Sequence, residues 1–177
     1  LVVAIVDAGF DVQHEDLREN TWVNAGEISG NGIDDDGNSF IDDINGWNVV
    51  SGMGDIALAD HGALISGIIG AKGNNGVGVA GVNWNTHLMY VVTDIQTSSL
   101  VAAYGYILKQ KELWAFSGGK QGANIIVTNT SFGIAIPDHC TARDYPVWND
   151  LYNQMGELGI LSAVAAPNED IDVDVDG

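Results

Sequence analysis

The sequence predicts an α/β fold, a parallel central sheet with helices on both faces. Leu1-Val2-Val3-Ala4-Ile5-Val6 is a continuous apolar run, rich in β-branched residues and closed by a glycine turn. A run of that length and composition suits a central parallel strand covered on both sides. Strand-like and helix-like segments then alternate along the chain, as crossover connections between parallel strands require. A helix candidate opening at Asp60-His61 continues Gly62-Ala63-Leu64-Ile65-Ser66-Gly67-Ile68-Ile69-Gly70-Ala71, small and apolar residues that let it press closely on a sheet.

Taken in order, the first strand ends in Asp7-Ala8-Gly9, which puts a carboxylate at the carboxyl end of a buried strand, where open α/β sheets carry their ligands. A turn or cap aspartate is the plainer reading of that residue alone. From Asp11 to Val50 the composition shifts to Asn, Asp and Gly with scattered Trp, which reads as a long ordered loop. Gly73 to Val82 is a glycine-rich loop that lacks the Lys and Ser/Thr of a phosphate cradle. Leu88 to Val92 reads as a strand, and Ser98 and Ser99 are candidate caps for a helix running to about Leu113. Ala123 to Thr128 is a further buried strand, Ile134 to Pro146 a loop, Val147 to Leu158 a helix and Gly159 to Ala166 a strand. Glu169 to Asp176 alternates acid with Ile and Val and leaves strand, cation site and surface loop open.

The 177 residues, 46% of them hydrophobic, suffice for the core of one domain. Six Lys and Arg against twenty-four Asp and Glu give a formal charge of −18, which disfavours nucleic acid and anionic lipid and favours cations. No apolar run reaches the roughly 18 residues of a membrane span. Cys140 is the single cysteine, so an internal disulfide is excluded. His14, His87 and His139 stand singly without zinc-ligand spacing, and the five Trp residues read as loop anchors and core. Both ends look cut, so the expectation is one incomplete domain over residues 1–177.

Calcium is the expected cofactor. In Asn31 to Asp43, Asp34, Asp36 and Asn38 alternate as oxygen ligands do in calcium loops, Gly37 permits a tight turn, Phe40 can offer its carbonyl, and Asp43 can close the shell. Without a cation five aspartates within ten residues repel one another. The pattern is not that of an EF-hand, because no Glu stands at the closing position.

Asp7, His61 and Asn168 stand beside strand ends or a helix start, and their motifs resemble those of the subtilisin-like serine peptidases, the subtilases. Val3-Ala4-Ile5-Val6-Asp7-Ala8-Gly9 is similar to that family's Asp-Ser/Thr-Gly motif. His61-Gly62-Ala63-Leu64-Ile65-Ser66-Gly67 resembles His-Gly-Thr-His-Val-Ser/Ala-Gly, with Ala63 and Leu64 in place of Thr and His. Ala165-Ala166-Pro167-Asn168 resembles the Ala-Ala-Gly-Asn that carries an oxyanion asparagine. The resemblance implies a calcium-stabilised, secreted or cell-envelope serine endopeptidase acting on polypeptides, with Asp7, His61 and Asn168 as acid, base and oxyanion donor. It implies that Ser131, Phe132 and Gly133 pair with extended substrate, and that Asp16 binds a calcium with Gly73, Asn75, Val77 and Val79. The Asn/Asp-rich stretch near residues 30–45 resembles calcium-loop insertions of some subtilases. The family's Gly-Thr-Ser-Met-Ala nucleophile motif is absent, which makes this the amino-terminal part of a catalytic domain on that reading. A pseudopeptidase or calcium-binding platform on the same fold, and a ligand-binding α/β receptor domain without catalysis, remain the alternatives.

Overall fold

A computed structural model describes residues 1–133, 144–166 and 168. Among the described residues five strands form one sheet: β1 (Val2–Asp7), β2 (Gly46–Asn48), β3 (His87–Val92), β4 (Ile125–Thr130) and β5 (Leu161–Val164). Their order is β2-β3-β1-β4-β5 and every pairing is parallel. The helices described between them are α1 (Asp60–Gly70), α2 (Thr97–Phe116) and α3 (Pro146–Glu157). The expected architecture is therefore present, with helices on both faces.

The two faces follow from the period-two alternation of a strand. Val2, Ala4 and Val6 of β1 point into the larger core, with Met89 and Val91 of β3, Leu100, Ala103 and Ile107 of α2, and Leu151 and Met155 of α3. The odd residues turn the other way. Ile5, with Val3 beside it, meets Leu88 and Tyr90 of β3 and the α1 residues Ile65 and Ile69. Asp7 continues the odd series, so its position in the strand directs it to the side that α1 covers.

Small residues in α1 have a steric purpose. A Cβ on Gly62 would lie 2.8 Å from the Phe10 ring and closer still to the Gly9 carbonyl oxygen, and one on Gly70 would lie 2.9 Å from Leu88. The helix therefore seats directly on the turn that follows β1. Gly62→Ala is expected to destabilise the chain by about 1–3 kcal/mol, because the Gly9 backbone cannot yield as a flexible side chain could. Urea unfolding measures it, and an unchanged midpoint would show that α1 does not need this approach.

Three expectations change in detail. The stretch read as continuous loop contains β2, a three-residue strand at the sheet edge that pairs with Tyr90 to Val92 of β3. Its run of alternating burial is too short to stand out among the surrounding Asn, Asp and Gly. The amino end of α2 is not capped by Ser98 or Ser99: Gln96 occupies the cap position without a side-chain cap bond, and the Asp94 carboxylate accepts the Gln96 N–H instead. Strand β4 begins at Ile125, two residues after the expected start, and runs through Thr130, two residues beyond the expected end. Residues 134–143 and the acidic alternation after Asn168 lie outside the described residues. Among the described residues no helix is long and apolar enough to cross a membrane.

Candidate active site and cation sites

Parallel strands bring their carboxyl ends to one edge of the sheet, and the candidate residues gather there. Asp7 closes β1, Thr93 follows β3, Ser131, Phe132 and Gly133 follow β4, and Asn168 follows β5. His61 reaches the same edge from the first turn of α1. Its Nδ1 lies 2.8 Å from Asp7 Oδ2, while Asp7 Oδ1 accepts the Ala8 N–H at 2.8 Å. The carboxylate is almost fully buried, whereas the His61 side chain is 59% exposed. A carboxylate only accepts, so the neutral ring holds its proton on Nδ1 and its lone pair on Nε2. Buried acid, fixed tautomer and accessible basic nitrogen are what a general base needs.

Beside this pair runs a groove of about 300 Å³ lined by Asp7, Ala8, His61, Thr93, Asp94, Ile95 and Phe132. Ser131 donates its hydroxyl to the Asn129 side chain at 3.0 Å, fixing the start of the segment that carries Phe132. Asn168 is exposed beyond β5. Among the described residues no hydrogen bond joins it or any serine hydroxyl to the His61 ring.

The Asp-rich loop folds inward around Asp43, which is fully buried. Asn24 and Asn38 donate their amides to Asp43 Oδ1 at 2.7 and 3.3 Å, and Tyr106 and Gln110 of α2 donate to Oδ2 at 2.8 and 2.7 Å. Burial pushes the Asp43 carboxyl up to about 7, and the charge of Asp36 adds to the rise against the hydrogen bonds that oppose it. Burial, joined by the neighbouring Asp43, raises the Tyr106 hydroxyl well above its usual range. Glu27, Asp36 and Asp43 each offer one oxygen, and these atoms lie within 4.8 Å of one another, a group that could hold a metal ion. Gln110 Oε1, on the amide that serves Asp43, is a buried acceptor without a partner among the described residues. Crowded buried carboxylates and an unused acceptor fit an oxygen-seeking cation.

The remaining expected ligands divide. Asn38 lies in this cluster, but Asp34 is outside it and its two oxygens accept the Asn38 and Ser39 N–H groups. The Phe40 ring packs on Trp47 and Tyr106 and anchors the loop to α2. Glu27 has no place in the alternating pattern, because it reaches the cluster from outside it; its carboxylate also accepts the N–H groups of Asp35, Asp36 and Asp42. Tyr106 and Gln110 did carry a signal, two polar residues four apart on the apolar face of α2.

Asp16 sits inside the glycine-rich loop, accepting the Asn75 side-chain amide and the Val79 N–H, both at 2.8 Å. The Val77 N–H is donated to Asn75 Oδ1 at 3.1 Å, and Gly73 lies against the Trp84 ring, where no side chain would fit. Asp16, Asn75, Val77 and Val79 are thus gathered at one site.

A parallel sheet whose carboxyl edge bears a carboxylate–imidazole pair beside a groove is an α/β domain with the form of a candidate acid–base site. The model of the subtilase family matches residues 1–176, and the chain belongs to that family. It is 47% identical over 89 residues to subtilisin-like protease 1 of Plasmodium berghei (strain Anka), and 44% identical over 90 residues to that of Plasmodium vivax. Each match covers 49% of this chain but only 15% and 14% of those relatives. The chain thus spans a small fraction of the relatives it matches. Among solved structures, the epidermin leader peptide processing serine protease of Staphylococcus aureus superimposes with a TM-score of 0.59 at 20% identity, covering 98% of this chain and 38% of that one. The S41 psychrophilic protease gives 0.58 at 17% identity, covering 97% and 47%. Both likenesses are of fold.

Proposed function

We propose that this chain carries the acid, base and oxyanion parts of a serine endopeptidase. The observation that supports it most directly is the 2.8 Å contact between Asp7 and His61 at the carboxyl edge of the sheet. Asp7 orients the imidazole and stabilises the imidazolium, His61 Nε2 takes the proton of an attacking serine, and the Asn168 amide donates to the oxyanion. Ser131, Phe132 and Gly133 pair with an extended polypeptide by adding a strand. The nucleophile is a serine other than those described here, none of which bonds His61. The site works outside the cell or in its envelope.

We read the cation as calcium, held in the Asp-rich loop by Glu27, Asp36 and Asp43, with Asn38, Asp34 and the Phe40 carbonyl close in sequence to complete or brace the shell. A second calcium is assigned to Asp16 with Asn75 and the carbonyls of Gly73, Val77 and Val79. Its role is to neutralise buried carboxylates and fix the loops; the proton transfers belong to Asp7 and His61. A fluorophosphonate probe applied to the full-length protein tests the peptidase reading. Labelling of one serine that His61→Ala abolishes is expected, and labelling indifferent to His61 would overturn it.

A further inference from the structure

We propose that Tyr104 is a positioning residue for the substrate-pairing segment: through Thr130, the last residue of β4, its hydroxyl fixes the line along which Ser131, Phe132 and Gly133 leave the sheet. The inference rests on the proteolytic reading above and adds to it a residue that touches no substrate. Tyr104 of α2 and Thr130 lie 26 residues apart, and their hydroxyls share a hydrogen bond of 2.7 Å. Both residues are buried, at 1% and 5% exposure.

Thr130 stands where the sheet stops holding β4. It is the last residue of the strand in register with both neighbours, opposite Val6 of β1 and Val164 of β5. Its carbonyl accepts the Ala165 N–H at 3.0 Å. Two residues on, Phe132 lines the groove beside Asp7 and His61. A peptide that adds as a strand binds best to a backbone whose direction is already set, because ordering it on binding costs affinity. Pinned from α2, the Thr130 side chain sets that direction at the final residue the sheet holds. The anchor is itself fixed: the Tyr104 ring meets Trp148 edge-on at 6.0 Å and Tyr152 at 5.7 Å, both on α3. Burial, opposed by the bond to Thr130, pushes the Tyr104 hydroxyl well above its usual range, so it stays neutral in neutral solution. Phenylalanine and valine would fill the two positions by shape alone. Two hydroxyls that are each costly to bury singly account for one another. Thr128, on the same face of β4 and fully buried, has no such partner among the described residues, so the bond is particular to the strand end.

The test is steady-state cleavage by the full-length protein of two substrates, an extended peptide and a short one that does not reach the Ser131 segment. In Tyr104→Phe, KM for the extended peptide should rise about fivefold, the scale of one hydrogen bond. Its kcat, the KM of the short substrate and the rate of fluorophosphonate labelling should stay within about twofold. Thr130→Val should have the same effect from the other side, and Thr130→Ser, which keeps the hydroxyl, should not. Combining Tyr104→Phe with Thr130→Val leaves no hydroxyl unpaired, so the melting temperature lost by either single variant should return while KM stays raised. Recovery of KM together with the melting temperature, or equal losses on both substrates, overturns the proposal as a merely structural bond and leaves the proteolytic reading standing. Absence of both cleavage and fluorophosphonate labelling in the unaltered protein overturns the two together.

Discussion

Asp7→Asn in the full-length protein is expected to lower kcat by roughly 10⁴-fold while KM changes little, the scale seen when the acid of a Ser-His-Asp triad becomes an amide. The amide keeps the shape of the side chain but presents an N–H where Oδ2 now accepts from His61 Nδ1. The ring then moves its proton to Nε2, and the nitrogen that should take the serine proton has none of its basicity left. At about 1.36 kcal/mol per decade the loss corresponds to roughly 5 kcal/mol of transition-state stabilisation. His61→Ala should cost at least as much, and the double variant little more, because the two residues act as one unit. Peptide hydrolysis under single-turnover conditions measures all three. Loss of less than tenfold in Asp7→Asn would separate this pair from the chemistry.

The second large effect concerns stability and runs against the habit of aspartates. The folded, cation-free chain holds the Asp43 proton up to a pH of about 7, whereas an unfolded aspartate releases it near 3.8. Between those values the folded state binds more protons than the unfolded one. With chelator present, stability should therefore fall as pH rises from about 4 to 7 and level off above. On the proposed reading calcium would take the ionised cluster, so added calcium should restore stability most at pH 8. A hundredfold excess over Kd contributes about 2.7 kcal/mol, or a rise in Tm on the order of 10 °C. Asp43→Asn should flatten the pH profile in chelator and remove most of the calcium response. Melting curves at pH 5 and 8, with and without calcium, provide the check. A chelated protein that gains stability from pH 5 to 8 would contradict this account of Asp43.

Much of the fold was legible because burial on both faces forces continuous apolar strands, and Leu1 to Val6 and Leu88 to Val92 have that composition. Element ends were less so. Ser98 and Ser99 are good caps by residue type, yet a local turn closes first, with the Asp94 carboxylate accepting the Gln96 N–H two residues on. In β2, three residues gain strand form only through pairing with Tyr90 to Val92, a contact no local pattern encodes.

By itself the sequence marked the candidate residues: Asp7 ends a buried strand, His61 opens a helix of small residues, and five aspartates crowd the ten residues from Asp34 to Asp43. Odd-numbered register in β1 even determined the face on which Asp7 stands. Tertiary structure alone decided what meets what. It set Asp7 and His61, 54 residues apart, at 2.8 Å, brought Glu27 to Asp36 and Asp43 while leaving Asp34 outside, and placed Asp94 and Phe132 on one groove. Register and composition are local properties that a chain carries along its length. Distances between strand ends depend on how separate segments share one core, and that is fixed only when the sheet and its helices pack.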